Sequence, residues 1–144
     1  MSQLPPLNPF IIEDAINRAL AEDLGRAGDI TTLATIPAKA RARAVIATRE
    51  AGVIAGSDLA IAAFRRMEES IRFDTHLNDG TIVAPGDIAL AVEGPARAIL
   101  SAERTALNFM GRLSGIATLT SQFAKAVSHT KARIVCTRKT TPGL

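Results

Sequence analysis

The sequence predicts an α+β amino-terminal domain, a short-stranded sheet with helices, followed by a long helix and the first strand of an incomplete α/β barrel. Three observations predict it. Short apolar runs bounded by Gly, Pro, Asn and Asp recur through the first hundred residues, with helical stretches between them. From about Pro95 the pattern changes to one long stripe of helical period. The stripe leads into Ile134-Val135-Cys136, an apolar run followed after Thr137 by two cations, Arg138 and Lys139.

Taken in order, Phe10 to Leu24 reads as an amphipathic helix, with Ile12, Ala15, Ile16, Ala19 and Leu20 on one face and Gly25 placed to close it. Gly28-Asp29-Ile30-Thr31-Thr32 reads as a turn, since Asp and Thr side chains satisfy nearby backbone groups. Residues 41–48 alternate and predict a strand, and Gly52 to Gly56 a second short one. Ser57 is the expected N-cap of a helix running to about Glu69, with Asp58 favourable in its first turn. Ile71-Arg72-Phe73, Thr81-Ile82-Val83 and Ile88 to Val92 read as strands separated by the turns Asn78-Asp79-Gly80 and Pro85-Gly86-Asp87.

In the second part, Ala102, Ala106, Phe109, Leu113, Ile116, Leu119 and Phe123 recur at spacings of three and four, which predicts a buried helical stripe. A break is expected at Ser114-Gly115, where glycine costs about 1 kcal/mol relative to alanine. The run Ile134-Val135-Cys136 is expected to be a short buried strand, with Thr137, Arg138 and Lys139 at its carboxyl end, where α/β sheets build anion sites. A complete eight-stranded barrel needs about 250 residues. The expected division is 1–108 for the first domain and 109–144 for the opening of the barrel.

Composition narrows the function classes. The chain has 144 residues and 47% hydrophobic content, enough for one modest core. It has no apolar run long enough for a membrane helix, and its first residues lack the blocks of a signal peptide. The lone cysteine fits a reducing, cytoplasmic setting. The net charge of +3 is divided unevenly, at −4 for residues 1–96 and +7 for residues 97–144. A segregated cationic region draws in anions, although a solvated basic helix face reads the same way. Nucleic acid is a poor fit, because there is no Trp or Tyr to stack on bases. A biotinyl- or lipoyl-like carrier is excluded by the absence of any lysine between Lys39 and Lys125.

Arg104 lies about 200° around the helix from Ala102 and so projects away from the apolar stripe. Its planar fork suits carboxylate or phosphate, and the alternative is a surface arginine paired with Glu103 or solvated. Thr137, Arg138 and Lys139 could hold an anion or form an ordinary basic turn. Glu22, Asp23 and Asp29 make an acidic patch that suits capping and turn formation better than a metal site. His76 and His129 have no partner at ligand spacing, and Cys136 reads as a packed residue.

Three segments together resemble one family, the quinolinate phosphoribosyltransferases. They are Glu22-Asp23-Leu24-Gly25 with Gly28-Asp29-Ile30-Thr31-Thr32, then Glu103 to Phe109 running into Arg112 to Thr118, and Thr137 to Gly143. The resemblance implies a two-domain enzyme, an α/β domain packed on an open α/β barrel, working as a homodimer or a larger assembly of dimers. It implies transfer of phosphoribosyl from 5-phosphoribosyl 1-pyrophosphate to quinolinate with Mg²⁺, releasing pyrophosphate and CO₂. By position, Arg104 matches an arginine that reaches the partner subunit's site and grips quinolinate. Thr137, Arg138 and Lys139 match the family's substrate-binding segment on the first barrel strand. The family often has Asp where Cys136 stands and Gln where Gly111 stands, and its further cations and carboxylates belong to strands beyond those present here. A related phosphoribosyltransferase-like protein associated with molybdate transport, or a non-catalytic remnant or binding module, is the alternative.

Overall fold

The computed structural model describes residues 7–75, 77–137 and 139–141. Its first helix, α1 (Pro9–Leu24), starts from Asn8, whose side chain accepts from the Phe10 N–H, and buries Ile16 and Leu20. The segment expected as a turn instead carries a short helix, α2 (Ile30–Thr35). Asp29 caps its start by accepting from the Thr32 N–H at 2.9 Å. Its carboxyl end is held from far away in sequence, by Arg97 donating to the Leu33 and Ile36 carbonyls. Local propensity favoured a turn, and these tertiary bonds to the orphan carbonyls tip the balance to helix.

Three strands form one antiparallel sheet in the order β1 (Arg41–Ala47), β5 (Ile88–Pro95), β3 (Arg72–Thr75). β1 alternates exposed and half-buried residues, as an edge strand with one covered face must. Central β5 buries Ala89, Leu90, Ala91 and Val92 in succession. A second, two-stranded ladder pairs β2 (Gly52–Val53) with β4 (Ile82–Val83).

Between β2 and β3 runs α3 (Ser57–Met67). Its N-cap is Gly56 rather than Ser57, in the left-handed region at φ 93°. Glycine takes this conformation without strain, and a Cβ here would also crowd the Phe109 carbonyl at 3.3 Å and push the end of the Leu113 side chain aside. The cap carboxylate is supplied by Asp79, which accepts from the Gly56 and Ser57 N–H groups at 2.7 and 3.0 Å. Ser57 is left with a buried hydroxyl that has no partner among the described residues.

The last element, α4 (Ala96–Val127), is one unbroken helix of 32 residues. It packs on α1, α3, β1, β2 and β5. Contact with α3 is close because Ala60, Ala63, Ala102 and Ala106 are all fully buried and small. No break occurs at Ser114-Gly115. Ser114 bonds to the segment just after β2, accepting from the Ala55 N–H and donating to its carbonyl, and Thr118 accepts from the Val53 N–H in β2 itself. Those bonds hold the helix to the small ladder and outweigh the modest glycine penalty. The residue 108/109 division lies inside this helix.

Two expectations fail beyond Met110. The stripe is buried at Ala102 and Ala106 and half-buried at Phe109 and Leu113, but Ile116, Leu119 and Phe123 are each more than half exposed. Residues 134–136 form no strand, and Ile134, Val135 and Cys136 are exposed. A strand is stable only when its N–H and C=O groups have a ladder to join. None is adjacent among the described residues. No helix among them is long and apolar enough to cross a membrane.

Candidate functional site

The charged chemistry gathers where α1 ends, α2 begins and the first half of α4 passes beneath them. Ser101 and Arg104 lie three residues apart on α4 and so share a face. Each is held by an acid, Arg104 by one in the last turn of α1 and Ser101 by one in the connection that follows. The Ser101 hydroxyl donates to Asp29 at 2.9 Å, and Arg104 Nη1 donates to Asp23 at 2.6 Å. The expected neighbour Glu103 is not the partner of Arg104. Asp23 is four-fifths buried at the foot of the pair, whereas the Arg104 side chain is 73% exposed.

These contacts set the ionisation of both ends. The Thr32 hydroxyl and N–H hold Asp29 below the ordinary carboxylate range against partial desolvation, with smaller help from Ser101 and Arg104. The hydrogen bond that Arg104 donates to Asp23 raises the Arg104 pKa, Asp23's charge adding to it and Asp29's more weakly. Arg104 is therefore a permanent cation at the end of an anchored side chain.

Beside this pair a cleft of about 340 Å³ opens between α1 and α4, lined by Glu22, Asp23, Thr105, Asn108, Phe109 and Arg112. A larger cleft of about 550 Å³ lies between the β1–β2 segment and α4. Its walls are mostly apolar, from Ile54, Val83, Leu107, Met110 and Leu119. Ionisable groups line both clefts, Glu22, Asp23 and Arg112 the smaller and Arg49 and Glu50 the larger.

The carboxyl-terminal segment reaches this region through Arg112, whose Nη2 donates to the Thr141 hydroxyl at 2.6 Å. Thr137 and Lys139 are exposed and outside regular structure, and Arg138 lies outside the described residues. Among the described residues no three His, Cys, Asp or Glu side chains cluster closely enough to hold a metal ion. His76 also lies outside the described residues. Sequence reasoning missed Asp23 and Arg112 as members of the site. Their partners stand 81 and 29 residues away, beyond the reach of any local pattern.

Comparison with known proteins gives a consistent picture. The family model for the quinolinate phosphoribosyl transferase N-terminal domain matches residues 29–114, and that for the C-terminal domain matches residues 116–144. Similar relatives include a chloroplastic nicotinate-nucleotide pyrophosphorylase [carboxylating] of Oryza sativa, 44% identical over 97% of this chain and 38% of its own length. Another, from Mycobacterium leprae, is 44% identical over 91% of this chain and 47% of its own length. Among solved structures, NadC from Streptococcus pyogenes superposes with a TM-score of 0.91 at 34% identity, over 96% of this chain and 49% of that one. The nicotinate-nucleotide pyrophosphorylase of Francisella tularensis gives 0.90 at 32% identity, over 99% and 51%. The chain thus spans half or less of the length of the sequence relatives, and about half of these solved chains.

Proposed function

The chain belongs to the quinolinate phosphoribosyltransferase family, and on that premise we propose that it serves phosphoribosyl transfer from 5-phosphoribosyl 1-pyrophosphate to quinolinate. The pyridine nitrogen forms the new bond to the ribose C1 as pyrophosphate leaves, the adjacent carboxylate departs as CO₂, and the electron pair it leaves on the ring carbon takes a proton from water to give nicotinate mononucleotide. The observation that carries this reading is the joint match of both family domains across residues 29–144.

The residues suit the task. Quinolinate is a dicarboxylate and the co-substrate carries several phosphate charges, so the site must be densely cationic. Arg104 offers a fixed guanidinium to a carboxylate, and Thr137, Arg138 and Lys139 offer a hydroxyl and two cations to the anionic substrates. Cations already in place stabilise charge building on the departing pyrophosphate without reorganising at the moment of reaction. The +7 balance of residues 97–144 draws both substrates toward this half. The described residues do not fit a resident Mg²⁺ site. In this proposal the ion arrives with the phosphates of the co-substrate, and no step is assigned to it.

The homodimer belongs to the same proposal, with the exposed Arg104 acting in the partner's site. A cytoplasmic setting is proposed from the lone cysteine, while several plant relatives are named as chloroplastic or mitochondrial. The direct test is release of CO₂ and pyrophosphate that requires both substrates, and its absence from an intact preparation would sink the assignment. Action in trans is tested by mixing Arg104→Ala subunits with subunits disabled at Arg138 and Lys139. Verified mixed dimers are expected to regain activity, and mixed dimers as inactive as either parent would rule it out.

A further inference from the structure

We infer that Asp23 is a positioning residue for Arg104, fixing the guanidinium so that its unused edge is presented to a carboxylate of the substrate. This rests on the functional reading above and goes beyond it to a residue that does not itself touch substrate.

The argument starts from which nitrogen is engaged. Asp23 Oδ1 accepts from Nη1 at 2.6 Å, the short distance of a charge-assisted bond. An arginine binds a carboxylate with two parallel bonds either end-on, through both terminal nitrogens, or side-on, through Nε and Nη2. Engagement of Nη1 occupies one corner of the fork and leaves the side-on edge. The burial of the two partners supports the same division of labour. Asp23 is the anchored member, at 19% exposure on the wall of the α1–α4 cleft, and Arg104 is the presented member, at 73%.

The anchor is itself braced. Asp23 stands in the last turn of α1, and the connection that follows α1 is tied to α4 one turn earlier by the Ser101–Asp29 bond. Asp29 in turn caps α2. Arg104 is therefore held by a carboxylate that cannot follow it outward. A long, exposed arginine otherwise samples many rotamers, and ordering one such side chain on binding costs roughly a factor of three to ten in affinity. Asp23 removes part of that cost in advance.

The test uses Asp23→Asn and Asp23→Glu with two readouts. In ¹⁵N relaxation measurements on the chain, the Arg104 Nε–H is expected to be rigid in the unsubstituted protein, mobile in Asp23→Asn and partly restored in Asp23→Glu. Equal mobility in all three would overturn the inference. In steady-state kinetics, Asp23→Asn is expected to raise KM for quinolinate about three- to tenfold with kcat and the co-substrate KM little changed. Asp23→Glu should recover part of the loss. An unchanged quinolinate KM, or equal losses for both substrates, would also overturn it, since a general structural defect moves everything together. Failure of the unsubstituted protein to turn over quinolinate would instead overturn the functional reading, and with it the substrate half of this inference. The relaxation measurement would still decide whether Asp23 holds Arg104.

Discussion

The two halves of α4 carry the same apolar period and meet opposite fates. Up to Met110 the helix lies against α1, α3 and β5, and Ala102, Ala106 and Met110 are buried. From Ile116 onward the same spacing faces outward, and Leu119 and Phe123 are exposed. Periodicity states which face of a helix is apolar, but only a neighbour can bury it. The first half is thus a core element, and the second presents its apolar face outward while Ser114 and Thr118 bond to the Val53–Ala55 segment. The large apolar face left exposed beyond the core is the kind of patch that marks an interface.

Substitutions in the two regions should separate sharply. Leu90→Ala, at a fully buried position on β5, is expected to cost about 3 kcal/mol and to lower Tm by roughly 10 °C, measured by thermal and urea unfolding. A loss below about 1 kcal/mol would show that the first half is looser than its burial implies. Next, Asp79→Ala removes the two bonds that cap α3 and should cost about 2 kcal/mol. Asp79→Asn should recover part of that, because an amide oxygen can still accept.

A smaller effect is expected at Asp29. Asp29→Ala should lose about 1 kcal/mol at neutral pH through the α2 cap. Because the folded state lowers this carboxyl's pKa, its ionised form contributes stability above the unfolded value of 3.8. That contribution fades as pH falls below 3.8 toward the folded value. The stability difference between Asp29→Ala and the unsubstituted protein should therefore shrink in acid, and a difference that grows there would contradict the assignment. Smallest of all in stability is the double change Leu119→Ser with Phe123→Ser. Tm should move by no more than about 2 °C, while self-association measured by sedimentation velocity falls. A large drop in Tm would mean that the outer half is core after all.

The same contrast explains what could be read from the sequence. The α1, α3 and α4 helices and the strands of the sheet follow from periods of 3.6 and 2 and from Gly, Pro, Asn and Asp at their ends. Arg104 was legible as an outward-facing cation, and the family likeness was carried by continuous motifs. The contacts that give these residues their setting were not legible. Asp23 on Arg104, Arg97 on the end of α2, and Asp79 on the start of α3 all join residues that lie at least 22 apart. The strand expected at Ile134-Val135-Cys136 was misread for a related reason. Its composition is right, but a strand is made by its partner as much as by its residues.

Those separations are also intervals of time. Asp23 and Arg104 stand 81 residues apart, and chains are synthesised at about 5–20 residues per second. Asp23 therefore emerges some 4 to 16 s before the arginine it will hold. During that interval α1 has α3 but not yet α4 to pack on, and an isolated helix of about its length is marginal in water. On the ribosome, the first helix of this fold is made early and becomes useful late.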